Sequence, residues 1–347
     1  MSSSTFTRIV LRERPEADVL PDTFETQIVS KNDLQAGLGE AVVQVTYLSL
    51  DPAMRGWLRD VRSYLPPVQI GEVMRALGLG VVVQVGDGSV FKEGDIVSGT
   101  FGWTQFAVMK DKALQKITPP PGSMTLDFLN TLGMPGTTAY FGLHDVGQLK
   151  PGETLLVSGA AGAVGSLVCQ LGKRAGAKVV ALAGSDDKCT WLENELGVDK
   201  ALNYKSETFQ EDFKSAVGYL DVFFDNVGGE ILDMSLKALN KNARVVLCGA
   251  ISAYNSSTPR GLVNYQNIIS QRAKIQGFVV FDYTSQYPKA IADLAAGLGD
   301  GTLKRKFHVV EGIENAPKGL LMLFSGANTG KLVVKVSDEP SGGSPRL

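Results

Sequence analysis

Gly159, Gly162 and Gly165 recur at three-residue spacing in Ser158-Gly159-Ala160-Ala161-Gly162-Ala163-Val164-Gly165, directly after the apolar run Thr154-Leu155-Leu156-Val157. An apolar strand that enters a glycine turn and opens a helix is suited to receiving a dinucleotide pyrophosphate. Gly159 supplies a tight turn, Gly162 removes side-chain bulk where a phosphate approaches, and Gly165 lets the helix beginning near Ala163 pack against its strand. Backbone N–H groups around Ala161, Ala163 and Val164, at the start of that helix, face the phosphates with the helix dipole behind them. The run is a G-x-x-G-x-x-G variant of the usual G-x-G-x-x-G, so context carries the reading. A helix over 166–175 closes at Gly176, and a second apolar strand over 178–183 completes a βαβ unit of roughly 30 residues. The bland alternative is a strand-turn-helix packing site without a ligand.

The second strand ends in Ala183-Gly184-Ser185, where an NAD enzyme places an acid on the ribose hydroxyls. Gly184 and Ser185 leave room there for a 2′-phosphate, and Lys188 supplies a cation, with Lys173 and Arg174 as further candidates. This favours NADP(H) over NAD(H), against two countering features. Ser185 or Asp186 is also a suitable cap for the next helix, and Asp186 and Asp187 lie close enough to repel a phosphate.

These residues need a scaffold. At 347 residues the chain suggests two domains. Short strands broken by turns, including 41–48, 79–85, 96–99 and 103–109, run to about residue 118 with no helix of any length, which suggests a β-barrel. After Pro119-Pro120-Pro121 helices alternate with strands at 154–158, 178–183, 200–204, 222–225, 243–248 and 275–280, the pattern of a doubly wound parallel sheet. Thr137 to Val146 and 286–297 read as helices, and the tail from Leu303 returns to strand character and rejoins the first domain. The fold class is therefore α/β, with a barrel over 1–126 completed by 300–347 and a dinucleotide-binding domain over 127–299.

With 34 basic and 36 acidic residues interspersed, the net charge of −2 argues against a nucleic-acid face or a polybasic membrane anchor, and fits small neutral substrates. No signal-peptide core or membrane-span-length apolar stretch is present, so a cytoplasmic protein is expected. Cys169, Cys189 and Cys248 form no C-x-x-C pair and read as reduced core residues. The terminal Ser344-Pro345-Arg346-Leu347 departs from a peroxisomal signal by its proline, and 338–347 reads as a frayed tail.

Leu50-Asp51-Pro52-Ala53-Met54-Arg55-Gly56, Met134-Pro135-Gly136-Thr137-Thr138-Ala139-Tyr140, the 158–165 loop, Phe224-Asp225-Asn226-Val227-Gly228-Gly229, Cys248-Gly249-Ala250-Ile251-Ser252, Gln276-Gly277-Phe278-Val279-Val280 and Gly326-Ala327-Asn328-Thr329-Gly330-Lys331 carry a family resemblance. Through them nearly the whole chain resembles the medium-chain dehydrogenase/reductase superfamily, and within it the zinc-independent alkenal, prostaglandin, leukotriene and curcumin double-bond reductases. The resemblance implies a GroES-like barrel plus a Rossmann domain, a homodimer, and hydride transfer from NADPH to the β-carbon of a small apolar α,β-unsaturated ketone or aldehyde. It assigns Lys188, Tyr204 and Asn328 to the 2′-phosphate, and Thr137, Asn226, Cys248, Phe278 and Val280 to the pocket around ribose and nicotinamide. Gly249, Ala250, Ile251, Tyr254 and Val279, in the same motifs, join the cofactor-binding set. Relatives carry tyrosines at the places of Ala53 and Ser270, while Tyr64 and Tyr254 match tyrosines of the curcumin-reductase-like branch.

Hydride arrival at a conjugated double bond puts negative charge on the carbonyl oxygen, so the site needs a hydrogen-bond donor there and then a proton for the α-carbon. Tyr64 and Tyr254 are the candidates for these roles, with a cofactor ribose hydroxyl as the alternative donor. Zinc is not expected, because His144 and His308 are the two histidines and neither has Cys or Glu at ligand spacing. Both histidines read as structural, and Asp51 and Arg55 as a pair that sets a loop. Trp57, Phe101, Trp103 and Tyr283 are further candidates for an apolar cleft between domains, some of them core. The 275–280 strand is a plausible sheet edge for pairing between subunits. Competing readings are an NADPH quinone reductase of the same superfamily and a catalytically silent NADPH-binding protein.

Overall fold

The computed structural model describes residues 4–338 and divides into two units. The first runs up to Leu129 and resumes over Phe307–Ala327 and from Leu332 onward, while the second comprises Asn130–Lys306 and Asn328–Lys331. The Ser344-Pro345-Arg346-Leu347 terminus, and the 338–347 tail beyond Asp338, lie outside the described residues.

In the first unit β1 (Thr5–Leu11) and β2 (Phe24–Ser30) form an antiparallel pair. The larger sheet is built on β3 (Glu40–Ser49), with β4 (Gly78–Val85), β5 (Ile96–Gly99), β6 (Phe106–Lys110) and β7 (Leu114–Lys116). β3 is mostly buried because both its edges are covered: β4 pairs along one, and β6 takes Glu40–Gln44 of the other. A single helical turn, α1 (Met54–Trp57), interrupts the strands. Trp103 precedes the strand expected to start with it. Its N–H donates to Met74 O, its O accepts from Ile9 N–H, and its ring lies fully buried 4.7 Å from that of Phe24, so this segment is a core-filling loop and β6 begins at Phe106.

The second unit opens with α2 (Met134–Phe141), which widens into a π-helical turn at Gly142–Val146. Then follow β8 (Thr154–Val157), α3 (Ala163–Arg174), β9 (Lys178–Ala183), α4 (Asp186–Asn194), β10 (Lys200–Asn203), α5 (Phe209–Val217), β11 (Leu220–Asp225), α6 (Gly229–Ser235), β12 (Leu239–Leu247), α7 (Gln266–Gln271), β13 (Lys274–Gly277) and α8 (Tyr287–Gly299). The strands form one parallel sheet in the order β10-β9-β8-β11-β12-β13, whose order reverses between β8 and β11. At such a reversal, at the carboxyl ends of the strands, α/β sheets take their ligands. Leu156, Val180, Phe223 and Val245 from four neighbouring strands fill the core. β13 ends at Gly277, short of the expected Val280, because the chain leaves the sheet there to place Val280 among Phe141, Tyr283 and Tyr287.

The chain then returns to the first unit with β14 (Phe307–Glu311), α9 (Ala316–Ser325) and β15 (Lys331–Lys335). α9 is a helix within a tail expected to be strand. It buries Ala316 and Leu320 in the core of that unit and stops at Gly326, whose φ of 69° suits a left-handed C-terminal glycine. β15 pairs antiparallel with β3 over Tyr47–Ser49, beyond the part of that edge taken by β6.

Candidate functional site

The glycine loop connects β8 to α3, and Gly159 has φ +58° as the turn requires. α3 begins at Ala163 with Gly162 as its N-cap, and no side chain caps it. The first-turn N–H groups of a helix have no acceptor within the helix, so α3 offers them to an anion. A Cβ at Gly162 would meet little beyond Gly159 O, 3.2 Å away. Gly165 serves a different contact from the one expected. A Cβ there would overlap Gly159 O and lie 2.8 Å from Ala160 Cα, so Gly165 closes the helix onto the loop's own backbone. Contact with the strands belongs to Gly172, where a Cβ would sit 2.5 Å from Leu155 Cδ2. From far along the chain Gly330 braces the loop: its N–H donates to Ala161 O at 2.7 Å, and its φ is +74°.

Asp225 links the loop to the next strand. Its carboxylate is fully buried and accepts from Ser158 Oγ–H at 2.6 Å, Val227 N–H at 3.0 Å and Gly228 N–H at 3.0 Å. Ser158 Oγ in turn accepts from Asn226 N–H, and Asn226 Nδ2 donates to Ser158 O at 2.8 Å. The Asp225 main-chain O receives the N–H groups of Cys248 and Gly249. One residue therefore ties together the ends of β8, β11 and β12, and with them Asn226 and the 248–250 turn. Burial raises the Asp225 pKa, outweighing hydrogen bonds that favour the anion. In the sequence the one signal of this role is an acid at the end of an apolar strand, Val222-Phe223-Phe224-Asp225.

At the carboxyl ends of β9 and β10, Ser185 caps α4 by accepting from Lys188 N–H at 3.4 Å. Tyr204 lies across Gly184, since a Cβ there would be 2.8 Å from the phenol oxygen. Lys188 is partly buried, and desolvation followed by the charge of Lys205 lowers its pKa. Lys173 and Arg174 are elsewhere: Lys173 pairs with Asp199 at 2.7 Å and Arg174 with Asp293 at 3.2 Å. Both stand in the last turn of α3, the end away from the glycine loop.

Thr137 is nearly fully buried in α2, its hydroxyl 3.1 Å from Met134 O and 3.2 Å from Gly133 O. It also bonds Tyr287, whose O–H donates to Val280 O at 3.1 Å. A Cβ at Gly142 would lie 2.6 Å from both the Phe224 and Phe278 rings, so its bareness lets Phe278 settle edge-on against Phe224. Thus α2, its π-helical turn and α8 hold the 278–280 segment, with Val279 leading into the turn that starts at Val280. Tyr254 follows the 3-10 turn Ile251–Ala253, and its hydroxyl oxygen accepts Ala250 N–H at 3.2 Å. Asn328 is buried and donates from Nδ2 to Gly330 O. Tyr64 lies in a loop of the first unit, 52% exposed.

Several other candidates are structural. Arg55 is fully buried and donates to the carbonyls of Pro15 and Ala17, while Asp51 accepts from Ser49. Phe101 and Trp103 are core, and Trp57 packs against the same cluster. Tyr283 stacks on Phe141 at 4.6 Å. His144 packs edge-on against Tyr140, and burial lowers its pKa. Cys169 and Cys189 are buried free thiols. Among the described residues no group of three or more His, Cys, Asp or Glu side chains is placed to hold a metal ion, so the donor set does not fit zinc. No helix among the described residues is long and apolar enough to cross a membrane.

Residues 7–117 match the family described as the N-terminal domain of oxidoreductase, and residues 163–296 the family described as zinc-binding dehydrogenase. The NADPH-dependent curcumin reductase of Escherichia coli (strain K12) is 35% identical over 96% of this chain and 97% of its own. Prostaglandin reductase 1 of Bos taurus is 40% identical over 90% and 93%, respectively. The crystal structure of CurA in complex with NADPH from Vibrio vulnificus matches with a TM-score of 0.89 at 36% identity, over 96% of this chain and 99% of that one.

Proposed function

The chain belongs to the zinc-independent, NADP(H)-dependent branch of the medium-chain dehydrogenase/reductase family that holds the prostaglandin and curcumin reductases, with a GroES-like unit and a Rossmann unit, and from that premise we propose how its residues carry the reaction. The activity is NADPH-dependent reduction of the carbon–carbon double bond of α,β-unsaturated ketones and aldehydes. When bound, NADPH supplies the hydride that reaches the substrate's β-carbon. The observation that carries this reading is the uncapped α3 N-terminus at the sheet's reversal point, with a cation at the end of the next strand where an NAD enzyme has an acid.

Gly159, Ala161, Gly162, Ala163, Val164 and Gly165 receive the pyrophosphate through backbone N–H groups. Gly184, Ser185, Lys188, Tyr204 and Asn328 take the adenosine ribose and its 2′-phosphate, and Asn328 also holds Gly330, which braces the glycine loop. Thr137, Asn226, the 248–251 turn and the 278–280 segment shape the ribose and nicotinamide end. Tyr254 or Tyr64 donates a hydrogen bond to the carbonyl oxygen as charge develops there, and a tyrosine or water then delivers a proton to the α-carbon of the substrate enolate. Accepting Ala250 N–H fixes the Tyr254 oxygen, so this phenol is the better placed of the two on its own unit. A homodimer pairing through the edge strand β13 and a cytoplasmic setting complete the reading.

The test follows NADPH oxidation with a 2-alkenal, benzalacetone, curcumin and a quinone, repeated with NADH and with a chelator. Saturated-carbonyl product with NADPH, indifferent to chelator, is expected. Turnover of the quinone alone moves the enzyme to the quinone reductases, and NADPH binding without turnover overturns the catalytic reading. Replacing the responsible tyrosine by Phe lowers turnover by roughly 10²–10³-fold, the loss on removing one oxyanion donor. Wild-type turnover in both Tyr254→Phe and Tyr64→Phe removes the tyrosine mechanism.

A further inference from the structure

Parallel pairing sets Ala183 of β9 beside Asn203 of β10, so the chain that follows each strand emerges side by side. Gly184 and Tyr204 are the next residues, joined by the Tyr204 N–H to Ala183 O bond of 3.0 Å, and Lys205 follows at once. Its Nζ stands 5.9 Å from the centroid of the Tyr204 ring, at the outer limit of a cation–π contact. Its N–H donates to Asn203 Oδ1 at 3.0 Å, which fixes the backbone from which the side chain leaves. The same Asn203 donates through Nδ2 to the Asp186 carboxylate at 2.9 Å. Asp186, one of the two acids expected to repel a phosphate, is thereby engaged by a neutral amide, and among the described residues no ion pair joins Lys205 to a carboxylate.

Resting on the NADP(H) reading above, we propose that Lys205 is a second cation of the 2′-phosphate site, acting with Lys188 and the Tyr204 hydroxyl as a clamp for the phosphomonoester on the adenosine ribose. The charge of Lys205 acts on Lys188, and a dianion between the two ammonium groups converts that repulsion into two charge-assisted hydrogen bonds. The lowered pKa of Lys188, to which Lys205 contributes, agrees with the two charges sharing one place. Gly184 is bare because the phenol occupies the space a side chain would need, so the floor of the clamp is backbone and ring.

The experiment is calorimetric titration of the full chain with 2′,5′-ADP and with 5′-AMP, on wild type, Lys205→Ala, Lys205→Arg and Lys188→Ala, with thermal melts confirming that each variant is folded. Lys205→Ala is expected to weaken 2′,5′-ADP binding about tenfold, the scale of one charge-assisted hydrogen bond, and to leave 5′-AMP unchanged. Lys205→Arg restores most of the loss, and added salt narrows the difference between wild type and Lys205→Ala. Wild-type affinity for 2′,5′-ADP in Lys205→Ala, alongside a loss in Lys188→Ala, overturns the role of Lys205 and leaves the NADP(H) site standing. Equal loss of 2′,5′-ADP and 5′-AMP also overturns it, since that reports a general distortion. If wild type itself prefers 5′-AMP, the NADP(H) reading fails and takes the inference with it.

Discussion

Asp225 offers the sharpest test of how the candidate site is held together. Asp225→Ala removes the acceptor of three buried donors: Ser158 Oγ–H, Val227 N–H and Gly228 N–H. A buried donor left unsatisfied costs about 1–3 kcal/mol. Recovering the cost of burying the carboxylate offsets part of that, so a net loss on the order of 3 kcal/mol is expected. Asp225→Asn keeps one oxygen, which placed at Oδ1 retains the Ser158 and Val227 bonds. Its amide nitrogen then faces Gly228 N–H, which keeps Oδ1 as its second acceptor at 3.1 Å, so the cost is about 1 kcal/mol. Urea unfolding should therefore rank wild type above Asn and Asn above Ala. NADPH affinity should fall in the Ala variant, where Ser158, whose Oγ accepts Asn226 N–H, and the 227–228 turn lose a common anchor. pH adds a signature. The folded pKa of Asp225 is raised by burial, so its titration stabilises the fold below the unfolded value of about 3.9, and that contribution is lost as pH rises through the folded pKa. The gap between wild type and Asp225→Asn is thus wider in acid than at neutral pH. An Ala variant that unfolds with wild type at every pH would refute the reasoning.

Three further outcomes follow from contacts of the second unit. Gly165→Ala forces a methyl against Gly159 O and Ala160 Cα, so stability should drop by about 1–3 kcal/mol and NADPH affinity with it; unchanged binding by fluorescence titration would show that the loop yields freely. Cys248, whose pKa is pushed up to about 12 by burial and then by the Asp225 carboxylate, should resist N-ethylmaleimide at pH 7, where only about one thiol in 10⁵ is ionised, and react faster in Asp225→Asn. Arg244 clamps Glu153 at 2.5 and 3.0 Å; burial opposes ionisation of Glu153, but bonds from Arg244 and Lys150 N–H prevail and lower its pKa. That stabilisation is present above the unfolded Glu value and lost as pH falls through the folded one, so Arg244→Met should cost on the order of 2 kcal/mol at pH 7 and progressively less in acid, read by urea unfolding.

How much was legible depends on how far apart the cooperating residues are in the chain. The turn at Gly159, the start of α3 at Ala163 and β9 over Lys178–Ala183 were readable because periodicity and turn chemistry act between neighbours. The same local logic mistook Trp103 for strand and carried β13 on to Val280, since apolar runs report burial and not the partner that buries them. Lys173 and Arg174 looked available because Asp199 and Asp293 are distant in sequence and near in space. The link from Ser158 to Asp225 and the brace from Gly330 to Ala161 left no local trace, being set by strand register and by a return of the chain. By itself the sequence determined a strand, a glycine turn and a helix, an α/β scaffold around them, and a histidine and cysteine spacing that does not suit zinc. Only the tertiary structure decided which basic side chains are spent in ion pairs and which acid holds the loops together, because hydrogen bonds and ion pairs depend on distances that parallel pairing creates between residues the chain keeps far apart.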